Sequence, residues 1–249
     1  MKKVEKDQQV HYDEIANDYS LHYGDQYSQQ YRKKYIYDRL FESATLKGSL
    51  ILEAMCGSGE ATEYLMSQGA TVIGLDISFN ELVNYQKSRK NSKTICSSAF
   101  AIGAVDDCFD SVVVIGGLHH LHPQINKALI ELSRVLKPGG AVYLSEPHKG
   151  SLFDLVRRAW YRVDRLFLEN ESAIDIQKMI SDNSNLFSFR ELGYYGNLAY
   201  IFVFNSMVLR MPKWLKKIYS PLLLNIEGPL SKIQNRIFSC FVLIKASKK

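Results

Sequence analysis

The stretch Glu53-Ala54-Met55-Cys56-Gly57-Ser58-Gly59 closes a short apolar run over 49–54 and decides the fold. A glycine-rich turn after an apolar strand lets the backbone bend sharply into a helix, whose first N–H groups remain free to bind a ligand. The absence of side chains on Gly57 and Gly59 also lets a ligand approach the backbone closely. The stretch therefore predicts a strand, a nucleotide-type binding turn and a helix.

A second acidic residue supports this interpretation. Asp76 ends the predicted strand 71–77, nineteen residues after Gly57. A carboxylate at that place accepts hydrogen bonds from both hydroxyls of a ribose. Each signal is weak alone, because many turns are glycine-rich and many strands end in an acid. Together, at this spacing, they predict a nucleotide site.

Apolar strand segments alternate with helical segments from residue 50 to residue 147. The predicted strands lie at 49–54, 71–77, 94–97, 110–115 and 141–145, and the predicted helices at 60–68, 80–91 and before the turn 137–140. Further helices are predicted at 152–168 and 173–180, and further strands at 187–194 and 237–246. This pattern predicts an α/β fold, with a Rossmann-like, mostly parallel seven-stranded sheet, helices on both faces and a helical cap.

The composition of the chain limits the classes of protein to which it can belong. A chain of 249 residues that is 46% hydrophobic can bury a full core. The polar start of the chain and the lack of a long apolar run argue against a membrane span, which favours a cytoplasmic protein. Four scattered cysteines indicate reduced thiols rather than a disulfide framework.

Three regions are predicted along the chain. Residues 1–45 form an N-terminal helical lid, residues 46–148 form the cofactor-binding core, and residues 149–249 form a helical cap with the last two strands.

The core residues resemble the class I S-adenosylmethionine-dependent methyltransferases, in particular the bacterial small-molecule group, over residues 10–148. The resemblance implies that S-adenosylmethionine is the cofactor. It also implies a role for each matching position: the methionine end is held by Glu53, Met55, Gly57 and Gly59, the ribose by Asp76, and the adenine by Ile77, Ser98 and Ala99. Ile115 and Gly116, at the end of the fourth strand, complete the predicted cofactor site. Two positions depart from the family pattern: Met55 replaces a glycine, and Ser98 replaces an acid.

Histidines follow the fourth strand at positions 119, 120 and 122. Because no carboxylate or cysteine stands at matching spacing, the sequence predicts no metal site. Methyl transfer from a sulfonium is an in-line displacement that requires only deprotonation of the acceptor, so His120 and His119 are the predicted catalytic residues. Helix capping or core packing is the alternative for both.

The N-terminal stretch from Tyr12 to Tyr19 resembles the helix that closes over the cofactor in this family, and Tyr19 is the predicted lid residue. Further aromatic residues and one arginine could line an aromatic acceptor pocket or cover the sheet edge; they are Tyr12, Tyr23, Tyr27, Tyr31 and Arg32.

The C-terminal fifth differs from the rest in charge. Residues 205–249 carry nine Lys or Arg against the single acid Glu227. Within it, the segment 207–236 mixes apolar and basic residues between the last two predicted strands. Three interpretations remain: a lid over a hydrophobic acceptor, a helix on an anionic membrane surface, or a satellite core.

The sequence thus predicts a methyltransferase for a small-molecule or lipid-like, amphiphilic acceptor, and leaves open whether O, N or C is methylated. No Asn/Asp-Pro-Pro-Tyr motif follows the fourth strand, which argues against nucleic acid as substrate. One alternative is an inactive methyltransferase-like binding module, which Met55 and Ser98 would explain. The other is an NAD(P)-dependent oxidoreductase, although the third glycine of its fingerprint would fall at Thr62.

Overall fold

The computed structural model describes residues 9, 10, 13, 24–89, 92–161, 171–206 and 209–249. Within them, seven strands form one sheet in the order β3-β2-β1-β4-β5-β7-β6. The strands are β1 (Leu50–Ala54), β2 (Thr71–Asp76), β3 (Lys93–Cys96), β4 (Phe109–Ile115), β5 (Leu136–Pro147), β6 (Phe187–Tyr195) and β7 (Phe241–Lys248).

The direction of the strands follows the predicted pattern. β1 to β5 pair in parallel, and β7 runs antiparallel between β5 and β6. The predicted mostly parallel, seven-stranded sheet is therefore confirmed. Because the strand order reverses between β1 and β4, the carboxyl ends of these two strands and of β2 open a crevice, the usual ligand position in such sheets.

Eight helices of α type accompany the strands within the described residues, and the seven that have six residues or more are numbered. They are α1 (Gln26–Tyr31), α2 (Thr62–Ser67), α3 (Phe79–Ser88), α4 (Ile125–Val135), α5 (Leu152–Tyr161), α6 (Ile176–Asp182) and α7 (Lys213–Lys232). α1 continues into a π-helical segment, Arg32–Tyr37, and the short helix Asp38–Leu40. A 3-10 turn spans Leu118–Leu121, and a second π-helical segment spans Tyr200–Phe204.

Two predicted boundaries were wrong. The stretch 137–140 was predicted to be a turn before the fifth strand, but β5 already begins at Leu136, which is buried and pairs with Phe109. The extra residues form an irregularity in the ladder, with Gly139 at φ +73°. The last strand begins at Phe241 rather than at 237, since Ile237 and Phe238 are exposed to solvent.

The core lies in two layers, one on each face of the sheet. Leu52, Val112 and Val114 face the layer that contains α4, whereas Ile51 and Val113 face the layer that contains α1. This alternation follows from the two-residue period of a strand, and it confirms the predicted helices on both faces. Five residues of the predicted lid 1–45 are part of the second layer; they are Tyr31, Tyr35, Ile36, Tyr37 and Leu40.

None of the helices in the described part of the chain has the length and hydropathy needed to cross a membrane.

Candidate cofactor and catalytic site

A cavity of about 370 Å³ opens at the carboxyl ends of the central strands. The predicted site residues that line it are Glu53, Met55, Gly57, Asp76, Ile77, Ser98, Ala99, Ile115, Gly116, His119 and His120. Gly59 does not line it, and Tyr19 lies outside the described residues. Folding thus brings most of the predicted residues to one place, while their individual ligand roles remain predictions.

Asp76 joins the ends of two strands. Its Oδ2 accepts the N–H of Gly57 at 2.8 Å, and its Oδ1 accepts the N–H of Ser78 at 2.9 Å. Burial raises the pKa of Asp76, although these N–H donors oppose that shift. A carboxylate has about four acceptor positions, so both oxygens can still receive a hydrogen bond from a ligand in the cavity.

Glu53 is directed toward the start of α2. It accepts the N–H of Ala61 at 2.9 Å and the hydroxyl of Thr62. Burial raises the pKa of Glu53, and the hydrogen bonds from Thr62 and Ala61 oppose this shift. Glu53 therefore fixes the turn that it precedes, and its predicted contact with the methionine end remains a prediction.

Glu81 is a cavity residue that the sequence analysis missed. Its backbone N–H donates to Ser78 Oγ at 3.1 Å, and its buried Oε2 has no hydrogen-bond partner within the described part of the chain. Burial and the nearby Asp76 raise its pKa to about 7. The signal was present in the sequence, because Ser78 and Glu81 have the spacing of a capping box. A buried acceptor without a donor is a place where a ligand donor fits.

The glycine-rich turn keeps its shape with a methionine in it. Met55 has φ +54° and Gly57 has φ +50°, both in the left-handed region. A Cβ on Gly117 would lie 2.9 Å from Met55 Cβ, which shows how closely the Met55 side chain packs on that residue. A Cβ on Gly59 would lie 2.3 Å from the Tyr85 ring, so Gly59 is needed for packing against α3.

Glu146 organises the turn after β4. Its Oε1 accepts the N–H of Gly117 at 2.9 Å and of Leu118 at 2.8 Å, and its Oε2 lies 2.9 Å from His119 Nδ1. Burial raises the pKa of Glu146 to about 7 and lowers the pKa of His119 well below its usual value. His119 is therefore a neutral residue held in place by Glu146.

His120 pairs with a different carboxylate. Its Nδ1 lies 3.3 Å from Oε1 of Glu171, and its ring contacts that of His119 with centroids 3.8 Å apart and the ring planes tilted by 39°. Burial by itself lowers the pKa of His120, but the Glu171 carboxylate, with smaller contributions from Glu146 and the backbone of Gly116, raises the pKa above the usual value. Glu171 was missed because it is far from the histidines in sequence and only the fold joins them.

His119, His120 and Glu171 offer ligand atoms within 4.8 Å of one another, so their chemistry would suit a metal ion. Glu171 is a carboxylate that the fold brings to the histidines, although no carboxylate stands at matching spacing in the sequence. The absence of a metal remains a prediction.

Part of the cavity lining is apolar and aromatic. Its side chains come from α5, the second π-helical segment and the residues after it, and they are Phe153, Val156, Trp160, Tyr200, Phe204, Leu209 and Phe241. Arg32, for which the sequence left pocket lining and cover of the sheet edge open, lines the cavity and forms an ion pair with Glu60. Tyr31 does not line the cavity, because it is buried in the core. Tyr12 and Tyr23 lie outside the described residues.

Comparison with known proteins agrees with this geometry. Residues 52–144 match the methyltransferase domain family. Over these residues the chain is similar to methyltransferase domains. This confirms the predicted family resemblance.

The curated relatives are similar to this chain over part of their length. A demethylmenaquinone methyltransferase of Thermobifida fusca is 35% identical over 104 residues, which is 40% of this chain and 44% of the relative. A mitochondrial ubiquinone biosynthesis O-methyltransferase of Rattus norvegicus is 29% identical over 136 residues, or 49% of this chain and 39% of the relative. The chain thus matches less than half the length of each of these curated relatives.

A solved structure extends the likeness in fold to the whole chain. The magnesium protoporphyrin IX methyltransferase of Synechocystis with bound S-adenosylmethionine has a TM-score of 0.61 and 16% identity, with coverage of 100% of this chain and 99% of that one.

Proposed function

We propose that the protein transfers a methyl group from S-adenosylmethionine to a small, amphiphilic acceptor. The carrying observation is that one cavity is lined by two kinds of side chain, the carboxylates Glu53, Asp76 and Glu81 and the aromatic residues of α5 and the second π-helical segment, with His120 in the same lining. We assign the carboxylates, called the carboxylate side, to the cofactor and the aromatic residues, called the aromatic side, to the acceptor.

The carboxylate side fits the groups of S-adenosylmethionine. Burial raises the pKa of Glu53, Asp76 and Glu81, so a ligand that brings positive charge or hydrogen-bond donors compensates them. The cofactor supplies a methyl group on a positively charged sulfur, an ammonium group and two ribose hydroxyls. Asp76 retains acceptor positions for the hydroxyls, and the unpaired Oε2 of Glu81 is an acceptor near the Gly57 turn.

The aromatic side supports an acceptor with an apolar ring or tail. Phe153, Trp160 and Phe204 offer apolar surface to a ligand. The names of the relatives point in the same direction, since they refer to demethylmenaquinone, ubiquinone biosynthesis and magnesium protoporphyrin IX.

His120 accepts the proton that the acceptor loses as its nucleophilic atom gains the methyl group. Glu171 holds the ring of His120 and stabilises its charged form, and is therefore a positioning residue. His119, kept neutral by burial, supports the ring of His120 from the other side.

The first test measures cofactor binding by calorimetry with S-adenosylmethionine and, separately, with NADH. We expect binding of the first only. Asp76→Ala should weaken it by roughly 1.5–3 kcal/mol, the range for charge-assisted hydrogen bonds. Asp106→Ala is the control, because Asp106 is an exposed acid outside the cavity.

Two results would contradict the cofactor assignment. Binding of NADH alone would favour the oxidoreductase, and unchanged affinity in a folded Asp76→Ala protein would remove the ribose role. Strong binding of S-adenosylmethionine without turnover of any quinol or phenol would favour the inactive binding module.

The second test concerns His120 and pH. Since the base must be neutral, turnover of an accepted quinol should rise with pH through the raised pKa of His120. Glu171→Gln removes the charge that raises this pKa, so the rise should move to lower pH while the plateau falls about tenfold. NMR titration of the His120 ring measures the same pKa without an acceptor.

An outcome at odds with this role would be an identical pH profile in Glu171→Gln and wild type. If a chelator abolishes turnover and added Mn²⁺ or Zn²⁺ restores it, His119, His120 and Glu171 are instead the ligands of a metal ion.

A further inference from the structure

The two faces of α7 differ sharply. Its inner face carries Lys216, Ser220, Leu224 and Glu227, all buried against the rest of the protein. Lys216 forms an ion pair with Asp25, and its Nζ donates to Ser28 Oγ at 2.7 Å. The helix is thus fixed in one rotation about its axis, and what it presents to solvent is determined.

The outer face carries a line of large apolar side chains. Trp214, Ile218 and Leu222 are 66%, 69% and 63% exposed, and Ile226 continues the line at 36%. Spacing of four residues places these side chains on one side of a helix, over a length of about 18 Å. We name these four residues the outer stripe. Exposed large apolar side chains are common singly, but a continuous line of them indicates a binding surface.

The outer stripe is not a wall of the cavity. α7 is described over its whole length, and none of its residues lines the cavity, whereas Leu209 before it does. Three interpretations were given for segment 207–236. The position of α7 therefore does not support a lid over the acceptor, and packing as a satellite core explains only the inner face of α7.

The exposed charged residues of α7 and of the segment just after it are all basic. Lys213 and Lys217 are exposed, and each precedes a stripe residue by one position, about 100° around the helix. Lys232 at the end of the helix and Arg236 after it are also exposed. Glu227 is the single acid between residues 205 and 249, and it is buried on the inner face.

We propose that α7 lies on the surface of a membrane that contains anionic phospholipids, with the outer stripe inserted between the headgroups and acyl chains. Apolar side chains flanked by lysines are the pattern of helices that bind at this depth. A second copy of the chain fits less well, because two such faces would bring their lysines together. The surface is separate from the cavity, so membrane binding does not depend on the proposed methyl transfer.

The cavity and the lipid-facing side meet at α5. Val156 lines the cavity and is 65% exposed, and Leu152 and Leu155 beside it are also exposed. The N–H of Leu152 donates to the carbonyl of Ile237 at 3.0 Å, which places the start of α5 against the segment that follows α7. An amphiphilic molecule can pass from the membrane to the cavity along this apolar edge.

The test is co-sedimentation of the full chain with vesicles of pure phosphatidylcholine and with vesicles in which about one third of the lipid is phosphatidylglycerol. We expect binding to the anionic vesicles at low salt and little binding to the others. Ile218→Glu/Leu222→Glu should lower binding on the order of a hundredfold through loss of two apolar side chains. Lys213→Gln/Lys217→Gln should lower it roughly twentyfold and reduce its dependence on salt.

Ile130→Glu is the matched control, because Ile130 is an exposed isoleucine on α4 and should leave binding unchanged. Circular dichroism of each variant verifies its fold. Insertion is also measured without a change in the charge of the protein. Anionic vesicles should shift the tryptophan fluorescence of the wild-type protein to shorter wavelength, and this shift should be absent in Trp214→Phe.

The proposal fails if the wild-type protein does not sediment with anionic vesicles at low salt, or if Ile218→Glu/Leu222→Glu binds as wild type does. It also fails if analytical ultracentrifugation shows a dimer that the same double variant dissociates, since the stripe would then be a contact between two copies.

Discussion

At the scale of single residues, Met55 is where the binding turn departs from its usual composition. A residue with a side chain at φ +54° is strained by about 1–2 kcal/mol relative to glycine. The side chain of Met55 offsets part of this cost by packing on Gly117 and on the core below. The turn therefore retains the geometry of a glycine turn through side-chain packing.

This balance predicts an unusual order of stability. Met55→Gly and Met55→Ala lose the same packing, but only alanine retains the strain, so Met55→Ala should be less stable by about 1 kcal/mol. Urea unfolding measures the difference. Met179 provides the control, because it lies in the right-handed helix α6, where Met179→Gly should be the less stable variant by about 1 kcal/mol. The same order at both positions would show that Met55 is not strained.

At the scale of elements, Glu227 fastens α7 to the rest of the fold. Its carboxylate accepts the hydroxyl of Tyr31 at 3.0 Å and the N–H groups of Asn197 at 2.8 Å and Ala199 at 2.9 Å. Burial raises its pKa, and the backbone N–H groups oppose the shift. One side chain thus joins α1, α7 and the turn before the second π-helical segment.

Glu227→Ala should destabilise the protein by about 3 kcal/mol, because two buried N–H groups and one hydroxyl lose their acceptor. Urea unfolding is the measurement, and Glu63→Ala on the exposed side of α2 is the control. A loss below about 0.5 kcal/mol would mean that water replaces the carboxylate.

The elements also explain what the sequence could predict. β1, β2 and β4 are apolar runs next to glycine turns, and Gly57 and Asp76 stand at the ends of β1 and β2, so the local pattern was enough to predict that these residues come together at the cavity. Glu171 reaches His120 only through the fold, because no spacing rule relates them. The extended course of 137–140 was missed for the same reason, since pairing with β4 overrides the local preference of Pro138 and two glycines for a turn.

At the scale of the whole molecule, the inside of the cavity and the outer surface of the C-terminal fifth differ in the sign of their charge. Buried carboxylates line the cavity near β1 and β2, whereas the C-terminal fifth is basic. The two proposed ligands, a cationic cofactor and an anionic lipid surface, would therefore bind at separate places of opposite charge. The basic charge of the C-terminal fifth could be predicted from the sequence. The rotation of α7 about its axis, which exposes the line of apolar side chains, could not.

The position of β7 has a consequence for the order of assembly. β7 lies between β5 and β6, and within the described residues β6 joins the sheet through β7. During synthesis, β1 to β5 can pair as they leave the ribosome, whereas β6 must wait until residues 241–248 have been made. A nascent chain held at residue 240 should therefore be cleaved by protease within 187–195, and one extended past residue 249 by a linker should be protected there. Equal protection of the two would show that β6 is stabilised without its neighbour.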